Sequence, residues 1–275
     1  MPDSPYKPLL HRELAKFDVT KHCMPQLELL KDLVNYGSNM IPACLHSSEK
    51  QLRDIIVVAV LLRQVVLNLD SFEVLIGESC TESAMLQVRA IFEASLQLDW
   101  ILEGDSPLKA KYYYVASVRR KLLWAKRTVA ETEESKKFFD QLGQFAEDLD
   151  PYRQRMEEEA MIQIRRIERF LGKQEFTEIN KHFDSVKKSA PFDPFWYKPL
   201  GQKSLRSISK AVGRSAEYEV FYGQLSQASH ASDYGHHIEI GSGKVTLREI
   251  RHLRQVKWLL QFAVCASLKT YRKVP

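Results

Sequence analysis

The sequence predicts an all-α protein: an irregular multi-helix bundle with a central apolar helix and an inserted charged helical hairpin. Three observations carry this. Glu82 to Glu103 reads ESAMLQVRAIFEASLQLDWILE, and at 3.6 residues per turn its apolar residues spread around the whole helix, as in a helix packed on all sides. The run IIVVAVLLRQVVLNLDSFEVLI before it passes twenty residues without a turn signal. Its β-branched residues would suit a strand, but its length decides for helix. Finally, 11 glycines and 11 prolines in 275 residues are few for a turn-rich β architecture.

Length and composition narrow the function classes. A chain of 275 residues can bury a substantial core, and 44% hydrophobic with 27% charged residues excludes wholesale disorder. The net charge of +5 permits an anionic partner without demanding one. Cys23, Cys44, Cys80 and Cys265 stand far apart, without a CxxC or Cys/His cluster. No metal and no cofactor is therefore expected, and the cysteines read as reduced thiols of a cytoplasmic protein. The start, MPDSPYKPLLHRELAKF, lacks the pattern of a signal peptide. The strongest apolar run, Ile55 to Leu62, is interrupted by Arg63 and Gln64, well short of the roughly 20 residues a bilayer needs. No membrane partner is expected.

Along the chain, residues 1–23 carry three prolines and read as a partly ordered lead-in. Leu27, Leu29, Leu30, Leu33 and Val34 mark a short amphipathic helix ending near Gly37. Ser48 and Gln51 form a capping box for the second helix, which stops at Gly77. Gly104 ends the central helix, and Ser106 with Pro107 restarts the chain as N-cap and first helical residue.

Residues 131–188 change character. Acidic and basic side chains mix there, Pro151 divides two helical segments, and a thin apolar seam runs from Phe138 to Leu171. Such charge density reads as a solvated face, and the seam needs a partner: the body, or another copy of the chain. The expected organisation is one helical domain over 1–275, with a body of 24–130 and 189–275 and an inserted arm at 131–188. That arm is the expected route to a homo-oligomer.

Beyond it, SAPFDPFWYKPLGQK (189–203) is a loop whose aromatics should pack on the body or cover a cleft. A short helix runs from Leu205 to Val212, and a longer one from Ser215 to Tyr234. GHHIEIGSGK reads as a loop. Its glycines do not match a phosphate loop, and His236-His237 beside Asp233 are discounted as a metal site because adjacent histidines point different ways. Thr246 and Glu249 form a capping box for the last helix. There Arg248, Arg251, Arg254 and Lys257 recur as a basic stripe, read as a solvated face because no aromatics interleave with it.

Two places could carry chemistry. Arg89 and Glu93 sit one turn apart on the central helix among Met85, Leu96 and Trp100, where charge is costly unless paired. They are either a structural ion pair or the floor of a polar site. On the 215–234 helix, Val220, Phe221, Leu225, Ala228 and Ala231 fall on one arc. Tyr218, Tyr222, Ser226, Ser229 and Asp233 fall on the opposite arc, with His230 at its edge. Tyrosine, serine and histidine are unusual choices for a free surface, and they are the inventory of acid–base chemistry or polar ligand binding.

Arg89-x-x-x-Glu93, the Trp196-Tyr197 loop and Tyr222-x-x-Leu225-Ser226-x-x-x-His230 resemble a bacterial domain-of-unknown-function family, number 5677, over roughly Leu52 to Leu268. The resemblance implies that Arg89, Glu93, Tyr222, Ser226 and His230 belong together, and it brings no settled activity. More distantly, the chain is similar to the higher-eukaryote and prokaryote nucleotide-binding helical domains, many of them metal-independent ribonucleases of defence and toxin systems. Their Arg and His lie on one helix with four to six residues between. Here His230 has no preceding arginine nearer than Arg214, and Arg248-x-x-x-His252 is too short. An Arg–His pair would have to form across helices, from Arg89 or Arg214 to His230.

The functional expectation is a polar cleft that binds a phosphate-bearing ligand, RNA or a nucleotide, and cleaves it without metal. His230 would be general acid or base. Arg89 would stabilise the phosphorane charge and Glu93 would hold Arg89. Tyr222, Ser226, Asp233, Trp196 and Arg214 would bind the ligand. The alternative is a non-enzymatic interaction or oligomerisation module whose Arg89–Glu93 pair is structural.

Overall fold

Apolar residues at Val19, Cys23, Leu27, Leu30 and Leu33 recur three or four positions apart, and with Cys44 they line the buried face of α1 (Arg12–His46). In the computed structural model, residues 10–46, 52–187, 193–225, 234–241 and 243–274 are described. The fold is an all-α multi-helix bundle; the strands among these residues form a single two-stranded hairpin. Two units divide the chain, 1–104 with 205–275 and 105–204.

α1 corrects two sequence expectations. The lead-in is helical from Arg12, and the helix passes both Gly37 and the internal Pro25 and Pro42. Gly37 is not a stop but a contact: a Cβ there would collide with the Tyr271 hydroxyl and with Val66. Tyr271 donates to the Leu33 carbonyl at 3.0 Å, and burial pushes its phenol far up. Tertiary packing thus overrides a local helix breaker. Gly37→Ala is expected to cost about 1–3 kcal/mol by overpacking. Gly77→Ala, where a Cβ meets open space, should change little, and denaturant melts of the two variants compare them.

α2 (Leu52–Gly77) packs against α1, α3 (Thr81–Leu102) and the last helix, Val256–Lys273. By length and composition Ile55–Gly77 could cross a membrane, yet 61% of its most apolar window is buried inside the protein. Arg63 and Gln64 do not interrupt it, because they lie on its exposed face. The capping pair Ser48 and Gln51 falls outside the described residues. α3 is the core helix expected, with Val88, Ile91, Phe92, Leu96, Leu98 and Ile101 fully buried, and Gly104 follows it at φ +67°.

In the second unit, α4 (Ser106–Thr128) is capped by Asp105 rather than Ser106. The Asp105 carboxylate accepts the Leu108 N–H at 3.0 Å, which places Ser106 and Pro107 inside the first turn. α5 (Glu133–Leu142) ends at Gly143, φ +56°, and a 3-10 turn leads into α6 (Ala146–Leu171). The break is therefore at Gly143, whose positive φ suits glycine, and Pro151 lies within α6 near its start.

The apolar seam has a partner in this unit. Ala160 and Ile164 of α6 pack on Ala125 and Val129 at the end of α4. Phe170 packs against Tyr114 of α4 and against Phe176 of α7 (Gln174–Lys187). α4 belongs with the charged helices, so the unit extends beyond 131–188 on both sides.

In the first unit, α8 (Leu205–Ala211) is followed by Gly213 at φ +69°. Of the long helix expected from Ser215 to Tyr234, the described part to Leu225 is helical: one α turn, Ser215–Glu217, then a π-helical segment, Tyr218–Tyr222, then a last turn to Leu225. β1 (Ile238–Gly241) and β2 (Lys244–Leu247) pair antiparallel where a loop was expected, with Gly241 opposite Lys244 and Gly243 at φ +71° in the turn. Ser-Gly between two short apolar alternations is a hairpin signal. Thr246 pairs with Glu239 in β2 and so caps no helix.

The last helix starts at Val256, after Gln255 at φ +60°. Arg248, Arg251 and Arg254 therefore precede it, and no helical basic stripe forms. Arg251 donates to the Glu78 carbonyl, and the His252 carbonyl accepts the Thr81 hydroxyl, which ties this segment to the start of α3.

Candidate functional site

Arg89 and Glu93 lie four residues apart on α3 and so share a face. Arg89 Nε donates to Glu93 Oε1 at 2.9 Å. The π segment brings the third member: Arg89 Nη2 donates to the Tyr222 hydroxyl at 2.9 Å, and the guanidinium lies 4.8 Å from the Tyr222 ring centroid. Tyr218 stacks on Tyr222 at 4.6 Å. π-helical turns occur often at functional sites. This one is anchored from behind by Phe221, stacked on Phe262 of the last helix at 3.7 Å, and by buried Leu225. Val220, expected on that packed arc, is exposed, because the wider turn rotates it away.

The site is half-open. Side-chain exposure is 20% for Arg89 and 29% for Glu93, far wetter than a core ion pair. Burial works against the Arg89 charge, but hydrogen bonding and charge from Glu93 and Tyr222 outweigh it and raise its pKa. Burial first, then the Glu93 charge, pushes the Tyr222 phenol up, opposed in part by Arg89. Tyr218 is raised by burial and by its neighbour Tyr222. The chemistry on offer is a permanently charged planar fork beside neutral hydroxyls, a donor set suited to an anion.

Arg214 has a different setting. Its side chain is 6% exposed. Nη1 donates to Ser95 Oγ at 2.7 Å and Asp99 Oδ2 at 2.8 Å. Nε and Nη2 donate to Glu217 Oε2 at 3.1 and 2.8 Å, and the guanidinium sits over the Phe92 ring. Lys269 holds Glu217 from the other side at 2.6 Å. This arginine is committed to protein partners, and it ties the turn before the π segment to α3. Sequence reasoning missed Ser95 and Asp99. The signal was an aspartate inside LQLDWIL, which must find a cation if the helix is buried.

Trp196 belongs to the second unit, buried edge-on against Tyr113 at 5.3 Å and Tyr197 at 5.9 Å. Ser226, His230 and Asp233 lie outside the described residues. So of the expected residues, the structure brings together Arg89, Glu93 and Tyr222, and puts Arg214 in a network of its own. Among the described residues, no three of His, Cys, Asp and Glu gather as a metal site would need.

Sequence reasoning also missed a polar cavity of about 540 Å³ in the second unit, whose lining includes Arg119, Lys126, Asn180, Asp184 and Asp193. Arg119 on its wall is held by Asp193 at 2.8 Å and Asp184 at 2.8 Å.

No curated protein and no solved structure matches this chain. Residues 55–244 match a family of unknown function, a stretch that takes in α3, the charged helices, the π segment and the first β-strand. That match covers well over half of the sequence, and the chain belongs to this family, DUF5677.

Proposed function

We propose that Arg89, Glu93 and Tyr222 form the floor of a site for a phosphate-bearing ligand, with RNA as the substrate class and cleavage that needs no metal. The observation that supports this most is the contrast between two arginines of the same unit. Arg214 is sealed among its partners at 6% exposure, whereas Arg89, at 20%, faces water beside neutral tyrosines on a π turn. A structural pair has no need of that openness; an anion site does.

In this reading Arg89 stabilises charge developing on phosphorus, and Glu93 fixes its fork. Tyr222 donates to a phosphate oxygen, and stacked Tyr218 offers a face for a base. His230, eight residues beyond Tyr222, is the general acid or base, with Ser226 and Asp233 positioning the ligand.

The test is cleavage of a short fluorescent RNA by the purified protein in a chelator. Activity should persist, follow a bell-shaped pH curve, and fall ~10²-fold or more in His230→Ala. Arg89→Lys should also lose rate, because an ammonium cannot replace the fork on phosphate. Folding of each variant is checked first. If the protein neither binds nor cuts RNA at high concentration, and His230→Ala alters only stability, the enzyme reading is lost and an interaction module stands in its place.

A further inference from the structure

The outer face of α2 carries an apolar row that is exposed among the described residues. Ile56 is 38% exposed, Val60 48%, Leu67 46% and Val74 54%. At 100° per residue these four fall within an arc of about 40°, and Val60, Leu67 and Val74 recur every seven residues, as in a helix–helix seam. Arg63 and Asp70 flank the row along one edge, both exposed. Neither has an ion-pair partner among the described residues.

We propose that this face binds a second copy of the chain, α2 against α2, antiparallel, with Leu67 on the twofold axis. The pattern is its own complement. Val60 and Val74 stand seven residues either side of Leu67, so the twofold axis sets Val60 opposite the partner's Val74 and Leu67 opposite the partner's Leu67. Arg63 lies about 6 Å before Leu67 and Asp70 about 4.5 Å after it, at 1.5 Å per residue. A twofold axis lying in the interface, perpendicular to the helices, keeps one edge on the same side. Arg63 then meets the partner's Asp70, and Asp70 meets the partner's Arg63. An isologous contact requires this kind of self-matching. A lipid surface would have no use for the two opposite charges along the edge of the row, and an unrelated partner would have no reason to match its symmetry.

Sedimentation velocity on the full chain across a concentration series tests the proposal. A reversible dimer is expected. Leu67→Glu places two carboxylates on the axis and should give a folded monomer of unchanged helix content, since the position is exposed. Arg63→Asp sets like charges opposite each other and should weaken the dimer ~10-fold or more. Adding Asp70→Arg to that variant should restore it, a rescue that no merely structural effect predicts. Leu67→Cys should cross-link under mild oxidation while wild type, with exposed Cys265, does not link through α2. A wild-type chain that stays monomeric at high concentration overturns the proposal. So does a dimer indifferent to Leu67→Glu, which would move the contact elsewhere, the exposed Phe145, Leu149, Tyr152 and Met156 row being next in line. A monomer that binds anionic vesicles through Leu67 would give the face to lipid instead.

Discussion

Arg214→Ala is expected to destabilise the protein by about 3–5 kcal/mol, the cost of breaking a buried ion pair by removing one partner. Asp99 is 1% exposed, and its Oδ1 has no hydrogen-bond partner; Lys273 approaches that atom only as an ion pair at 3.3 Å. Without Arg214, Asp99 keeps one cation whose side chain is 41% exposed, and Ser95 loses its donor. Lys269 would still face Glu217, which holds the loss toward the lower end of the range.

The effect depends on pH in a definite direction. Burial alone would raise the Glu217 carboxyl, but hydrogen bonds from Arg214 and Lys269 bring its folded pKa below the usual value. A depressed carboxylate contributes stability that is present above its unfolded pKa and is lost as pH falls through the folded one. Wild type should therefore lose this contribution below about pH 4.3, and the gap between wild type and variant should narrow there. Urea melts at neutral and acid pH measure both effects. A neutral-pH loss under about 1 kcal/mol, the range of exposed pairs, would mean the network is solvated.

Legibility in the sequence followed the range of the interactions. α2 and α3 could be read because their signal is periodic and local. α1 could not be read in full: Gly37 is a local stop, and its packing partner Tyr271 is 234 residues away in sequence. The charged segment announced its seam, but α4, which covers it, resembles any amphipathic helix. The strand pair was legible only as a loop, since Ile240, Val245 and Leu247 bury nothing there.

The site divides the same way. Arg89 and Glu93 follow from spacing along one helix. Tyr222 joined them only through family resemblance, because a π turn leaves no simple period. Arg214 could be foreseen as polar and useful, but not as sealed, since Ser95 and Asp99 lie 119 and 115 residues earlier.

Arg119 was least legible, and its removal should have the second largest effect. From α4 it donates to Asp193 through Nε at 2.8 Å and Nη2 at 3.1 Å. Nη2 also reaches Asp184 at 2.8 Å, and Nη1 donates to the Asn180 carbonyl at 3.3 Å and to its side-chain oxygen. One guanidinium thus clasps α4, α7 and the segment after it. Its side chain is 10% exposed and that of Asp193 19%.

Arg119→Ala should cost about 3 kcal/mol, at the low end for a broken buried pair, since Lys187 remains 3.1 Å from Asp193. Arg119→Lys should recover only part of this, because an ammonium cannot bind a carboxylate with two parallel donors. Burial raises the Asp193 carboxyl, but Arg119 and then Lys187 lower it further, so its folded pKa lies below the ordinary aspartate value. The contribution is full above about pH 3.9 and disappears as pH falls through the folded pKa. The wild-type advantage over Arg119→Ala should therefore be largest at neutral pH and shrink toward pH 3. Melts at the two pH values, with Arg119→Lys between the others at pH 7, are the expected result. An advantage that stays unchanged in acid would show that Arg119 acts through packing on Phe183, 5.4 Å away, and not through Asp193.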